Sequence, residues 1–200
     1  LDITTTLDFS IQSKAEEVIN NQIASLGSPY NIHNAASLVT DPHSGEILAM
    51  VGSVDYFDVQ NKGYVNATNS KRQPGSSIKP VNYAYAFDHG FTPNTTIEDA
   101  PVVYTAKGST EVYAPVNYDR QYHGTVTIRS ALANSYNVPA VKTLNKIGVS
   151  NMIDLGRKMG IRSWDNMPPI GLSLTLGGAE VTMLDMARAY GVIANTGIKK

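Results

Sequence analysis

The chain has 200 residues, 42% of them hydrophobic and 16% charged, with a formal net charge of −1. That balance suits one folded domain with a substantial core; it excludes global disorder and leaves no long-range attraction to nucleic acid or acidic lipid. There are no cysteines, which removes disulfides, thiolate metal sites and a cysteine nucleophile together.

The opening LDITTTL alternates and is rich in β-branched residues, which predicts a strand. No signal peptide or membrane-spanning run is present. The opening reads as a strand and not as a start region, so the expectation is a piece of a longer protein. From about Ser10 the period changes: Ile11, Ala15, Val18, Ile19, Ile23 and Leu26 predict a helix that stops at Gly27. Two apolar runs, 36–39 and 47–51, flank DPHSGE and predict a hairpin. Residues 55–71 are polar and read as loop. A helix follows PGS and runs to His89, with Gly90 as its stop. Residues 91–124 carry four turn clusters and short β-like runs, an irregular connection. Helices are then predicted over 127–133 and 139–147. Another follows, capped by Ser150, through Met159. The last begins at Thr182 with a capping box to Asp185, buries Met183, Met186, Ala187, Tyr190 and Ala194, and ends at Gly197. The fold class is α+β, mostly helical, with one early hairpin.

The stretch RQPGSSIKP (72–80) carries the chemistry. Pro80 has no N–H to donate and is tolerated only near a first turn, so its helix begins close to Gly75. Ser76 then lies at the helix start, where free N–H groups favour a developing negative charge. Lys79 projects from the same face one turn on. A neutral amine can take the proton from a serine hydroxyl, provided burial or a neighbouring cation pulls the lysine below its usual ~10.4. Alone, the tetrapeptide is weak evidence, and a capping serine beside a solvated lysine is its more ordinary reading. A second cluster, ALANSYNVPA, places Ser135 and Asn137 two apart in a break between helices. There a hydroxyl can relay a proton and an amide can grip a substrate carbonyl or the lysine itself. The same two residues could instead cap the helix that follows.

Taken in this order and separation, RQPGSSIKP and SALANSYNVPAV resemble the Ser-x-x-Lys and Ser-x-Asn motifs of penicillin-binding proteins. TTLDFSIQSKAEEVI, LVTDPHSGEILAMVGS, PVNYDRQYHGTVTIRSALANSYN and LSLTLGGAEVTMLDMARAYGVIANTG agree as well, over nearly the whole chain. The likeness is to the transpeptidase domain of the bifunctional, class A type. It implies a fold shared with serine β-lactamases, and a domain over 1–200 in which 1–34 form an N-terminal strand and helix. It also implies Ser76 as the nucleophile acylated by the D-Ala-D-Ala end of a peptidoglycan stem peptide, Lys79 as its base, and Ser135 in proton transfer to the leaving group. Asn137 would bind the substrate amide, and the Ser76 N–H would be one oxyanion donor. β-Lactams would trap the acyl-enzyme. The resemblance implies no cofactor or metal. It places the domain outside the cytoplasmic membrane, on a parent protein with its own anchor.

The family's third motif, Lys-Thr/Ser-Gly, is not in these residues. NTG at 195–197 reads as a helix C-cap, and KGS at 107–109 has the wrong order. The expectation is therefore that later sheet strands come from a complementing chain, or that the hairpin edge pairs with a neighbouring copy, since a bare two-stranded ribbon is marginal in water. A serine β-lactamase or D,D-carboxypeptidase uses the same acyl chemistry. Tyr136 replaces the Asp of a class A β-lactamase's Ser-Asp-Asn. A non-catalytic fragment is the third possibility. His33, His43, His89 and His123 have no metal-ligand spacing and read as turn or surface residues. Tyr118 or Tyr122 could flank substrate.

Overall fold

A computed structural model describes residues 2–105 and 112–200. The KGS tripeptide at 107–109 lies outside the described residues. The chain divides into two compact units: Leu1–Arg72 with Met159–Asp165 and Val181–Lys200, and Gln73–Lys158 with Asn166–Glu180.

In the first unit, helix α1 (Phe9–Tyr30) starts where Asp8 Oδ1 accepts the N–H groups of Ser10 (2.8 Å) and Ile11 (3.1 Å). It does not stop at Gly27, as the sequence suggested, but ends at Asn31, whose φ is 54°. The chain returns so tightly that the Ile32 N–H reaches the Gly27 carbonyl at 2.8 Å. A Cβ on Gly27 would meet Ile32 O at 2.9 Å, so the glycine serves close approach rather than termination. Strands β1 (Ser37–Thr40) and β2 (Ile47–Val51) pair antiparallel with an irregularity at Val39/Thr40, the hairpin expected.

The expected strand within 1–34 does not form among the described residues. Residues 2–8 are held to β2 by the Thr6 hydroxyl on Ile47 O (2.6 Å) and the Asp8 N–H on Leu48 O (2.9 Å). One hydroxyl and one amide make a tether, not a ladder. Gln12 continues this cover, accepting Met50 N–H at 2.8 Å and donating to Met50 O at 3.4 Å. The ribbon is thus not bare: α1 packs on β2, and the last helix, α6 (Met183–Ala194), packs on β1.

Helix α6 opens on the expected capping box, Thr182 with Asp185. Its buried positions are Asp185 and Ala189, whereas Tyr190 and Ala194, expected inside, are exposed. Asp185 turns the helix, because its carboxylate accepts the Arg162 N–H (3.0 Å), the Ser163 N–H (3.3 Å) and the Ser163 hydroxyl. The helix is capped at Asn195, and the Gly197 N–H returns to Val192 O at 2.8 Å, so NTG is a helix end.

The second unit begins with a 3-10 turn (Gly75–Ile78) leading into α2 (Lys79–Asp88), with Pro80 in the first turn. The stretch read as irregular contains a ladder: β3 (Thr96–Asp99) pairs antiparallel with β6 (Gly124–Thr127). Runs of four residues so far apart give no local signal of each other. A shorter pair, β4 (Tyr104–Thr105) with β5 (Val112–Tyr113), lies between them in sequence. Helices α3 (Ile128–Ala133), α4 (Asn137–Ile147) and α5 (Val149–Lys158) follow. Ser150 lies inside α5 rather than capping it, because the Gly148 carbonyl already takes the Met152 N–H. Tyr83, Ile97, Ile128 and Ala140 form a buried cluster with Phe91, Leu132 and Leu176 around it. α2 packs against α4 and α5, and α4 against a 3-10 turn at Leu172–Leu176. The architecture is α+β and mostly helical.

Candidate active site

In the turn before α2, Lys79 donates its backbone N–H to Ser76 O. Side chains three apart in a 3-10 turn eclipse, so those of Ser76 and Lys79 stand in line. The two serines of PGSS differ in state. Ser77 donates its hydroxyl to Pro74 O at 2.6 Å. Ser76 is exposed, and its hydroxyl has no hydrogen-bond partner among the described residues.

Behind this turn stands the second half of LSLTLGG. A Cβ on Gly177 would fall 2.3 Å from Gly75 N, and Gly177 has φ +87°. Only glycine permits that backbone contact and that dihedral together. Asn82, one turn beyond Lys79, donates to Ala140 O (2.9 Å) and to Thr175 Oγ1 (2.8 Å), and so ties α2 to α4 and to the turn that backs Ser76.

Lys79 is fully buried. Its Nζ donates to Ser135 O (2.6 Å), Ser135 Oγ (3.1 Å) and Asn137 Oδ1 (2.8 Å). Three ammonium hydrogens therefore meet three acceptors, none of them a carboxylate. Burial lowers the lysine from 10.5 to about 8, because desolvation penalises the charged form. When the proton leaves, two of the three partners are oxygens that can only accept. Ser135 Oγ–H can reverse and donate to the lone pair.

The link between α3 and α4 explains how these partners are presented. The Tyr136 N–H reaches Ala131 O (2.9 Å) and the Ser135 N–H reaches Leu132 O (3.1 Å), the two bonds of a Schellman cap. Its left-handed residue is Ser135, with φ 55°, where glycine is usual. For a residue with a side chain, that conformation costs roughly 1–2 kcal/mol. Neither Ser135 nor Asn137 caps α4 with its side chain; Tyr136 is the N-cap residue and makes no side-chain bond. The capping alternative is thereby replaced by a bonded cluster around a lysine.

Sequence reasoning missed Asn117. Its Oδ1 accepts the N–H groups of Asn137 (2.8 Å) and Val138 (3.2 Å), and its Nδ2 donates to Asp99, which is wholly buried. His123 is no simple turn residue: it bonds Asp99 and stacks on Tyr136 with ring centroids 4.0 Å apart. No local pattern signals these contacts, since the partners lie about twenty residues apart. Tyr118 is fully exposed and Tyr122 about half so. Among the described residues no group of acidic or imidazole side chains could hold a metal ion, and no helix is long and apolar enough to cross a membrane.

A buried lysine bonded by a serine and an asparagine stands one turn after an unbonded serine hydroxyl, an arrangement that suits the chemistry of the serine acyl-transfer class. Residues 35–200 match the family model of the penicillin binding protein transpeptidase domain. The chain is 38% identical over 204 residues to penicillin-binding protein 1B of Vibrio cholerae, covering all of this chain and 25% of the relative. It is 42% identical over 162 residues to penicillin-binding protein 1A of Aquifex aeolicus, covering 80% of this chain and 21% of the relative. Among solved structures, penicillin-binding protein 1A from Haemophilus influenzae aligns with a TM-score of 0.73 and 32% identity, over 81% of this chain and 23% of that one. PonA1 from Mycobacterium tuberculosis shares the fold at a TM-score of 0.80 and 22% identity, over 99% of this chain and 51% of that one. The chain belongs to the penicillin-binding protein transpeptidase family. It spans about a quarter of the length of the two curated relatives above.

Proposed function

We propose that these residues form the acyl-transfer centre of a D,D-transpeptidase that cross-links peptidoglycan stem peptides and is acylated by β-lactams. Ser76 Oγ attacks the carbonyl of the penultimate D-Ala, and its proton passes to neutral Lys79. The C–N bond to the terminal D-Ala breaks, leaving an ester on Ser76, and Ser135 relays a proton from Lys79 to the departing amine. An amine of a neighbouring stem then takes the acyl group. Asn137 Oδ1 holds the lysine; the second hydrogen of its Nδ2, beside the one donated to Val116 O (2.9 Å), is available for the substrate amide carbonyl. The Ser76 N–H is one oxyanion donor.

The observation that carries this reading is the burial of Lys79 among neutral acceptors, which lowers it to about 8 and supplies free amine near neutrality. The PonA1 structure solved in complex with penicillin V supports the β-lactam part by likeness of fold. The parent protein would work outside the cytoplasmic membrane, held by an anchor of its own.

Turnover would need the Lys-Thr/Ser-Gly strand. With the outer edge of β2 covered by residues 6–12, we place the remaining strands, or a neighbouring copy, against β1. A strictly monomeric 200-residue species by size exclusion with mass detection would count against that pairing. For the chemistry, intact-mass analysis after exposure to benzylpenicillin should show one long-lived adduct on the full-length polypeptide carrying this chain, mapped to Ser76 and absent in Ser76→Ala. An adduct elsewhere, or none on folded protein, would sink the reading. Rapid loss of the adduct with product turnover would favour a β-lactamase.

A further inference from the structure

We infer that Asn117 is a positioning residue for the acylation step, and that Asp99 fixes the way its amide faces; this rests on the functional reading above. The first N–H groups of a helix have no partner within it. In α4 they belong to Asn137 and Val138, and the N-cap residue, Tyr136, offers no side-chain acceptor. Asn117 Oδ1 fills that place for both.

The opposite end of the same amide is equally constrained. Asn117 Nδ2 donates to Asp99 Oδ1 (2.9 Å), Asp99 Oδ2 (2.8 Å) and Gln121 O (2.8 Å), all of them acceptors. Flipping the amide would aim an oxygen at a buried carboxylate, so one orientation survives. Asp99 is itself held by the His123 N–H (3.0 Å) and His123 Nδ1 (2.7 Å), while His123 Nε2 lies 3.1 Å from Asp119. The His123 ring stacks on Tyr136, the residue between Ser135 and Asn137.

These contacts form one chain, from Asp99 through the Asn117 amide to the start of α4, and from there through Asn137 Oδ1 to Lys79 Nζ. A helix start that needed only stability could be served by a serine or aspartate at position 136. An amide from a distant segment adds location: it sets where Asn137 and Ser135 stand relative to Lys79. Misplacement of a catalytic group by about 1 Å can cost about 100-fold in rate.

The test uses the full-length polypeptide carrying this chain. Asn117→Ala should lower the first-order acylation constant at saturating benzylpenicillin by about 100-fold, with little change in the half-saturating concentration. Amide exchange at 137 and 138 should accelerate. Asn117→Asp should be equally slow, since it sets two carboxylates together. Adding Asp99→Asn to it should recover only part of the rate, because one donor–acceptor pair is exchanged while Gln121 O is left facing a carboxylate oxygen. A wild-type rate in Asn117→Ala overturns the inference and leaves the functional reading standing; so does a wild-type rate in Asn117→Asp. If Asn117→Ala does not fold, the rate of Asn117→Asp decides. If the unmodified protein forms no adduct, the functional reading falls. Exchange at 137 and 138 still decides the positioning, and unchanged protection in Asn117→Ala overturns it.

Discussion

Lys79 in the second unit and Asp185 in the first are both buried charged side chains held mainly by neutral dipoles, with the Arg188 guanidinium 3.9 Å from Asp185, yet the two sites treat their charge in opposite ways. At Asp185, burial pushes the carboxyl up, but the Ser163 hydroxyl and the N–H groups of Thr182, Arg162 and Ser163 outweigh it and hold the group below its usual value. The charged form is favoured, and the site is an anchor. At Lys79 burial prevails, and the group falls toward its neutral form despite three acceptors. Both pKa values fall, but for an acid that favours the charged form and for a base the neutral one. The same kind of shell can therefore store a charge or prepare it to leave.

Four measurements can break or sharpen this contrast. The largest effect belongs to Lys79→Arg, which keeps the positive charge and removes any accessible neutral form; benzylpenicillin acylation should slow by about 1,000-fold. Survival of the rate would mean that Lys79 is, like Asp185, only an anchor. Next, Ser135→Gly should slow acylation by about 100-fold without lowering the melting temperature, because glycine adopts the left-handed turn freely. A destabilised variant would show that the serine is there for the fold.

Asp185→Asn should cost about 2 kcal/mol in denaturant unfolding at neutral pH. For a carboxyl whose native pKa is depressed, the stabilisation is full above the unfolded value, 3.8, and is lost as pH falls through the lower native value. The wild-type advantage should accordingly vanish in strong acid, and a pH-independent difference would refute the charge argument. Smallest is the pH response of Lys79. The acylation rate should rise no more than about tenfold per pH unit and level off past about 8. Between about 8 and 10.5 the native state has released a proton that the unfolded chain still holds, so stability should rise with pH there. A flat rate profile from pH 6 to 9 would remove Lys79 as the base.

How much of this was legible varies with the reach of each contact. Pro80 announced the start of its helix, DPHSGE its hairpin and Thr182 its capping box, because each acts within a few residues. The opening LDITTTL misled, since alternation says that a segment can pair and not that a partner is present. Gly27 misled for a related reason: glycine ends helices and also admits close backbone contact, and only the return of Ile32 distinguishes the two. Asp185 displaced the expected buried face of α6 because its hydrogen-bond donors lie more than twenty residues away.

The linear order of residues was enough to mark Ser76, Lys79, Ser135 and Asn137 and to match their spacing to a family, since motif spacing is local. Tertiary structure alone decided that Lys79 is dry and bonded by Ser135 and Asn137, that Ser77 is occupied while Ser76 is not, and that Asn117 holds the start of α4. Desolvation and the geometry of a hydrogen bond both depend on which atoms surround a group, and those atoms come from segments that meet only when the chain has folded.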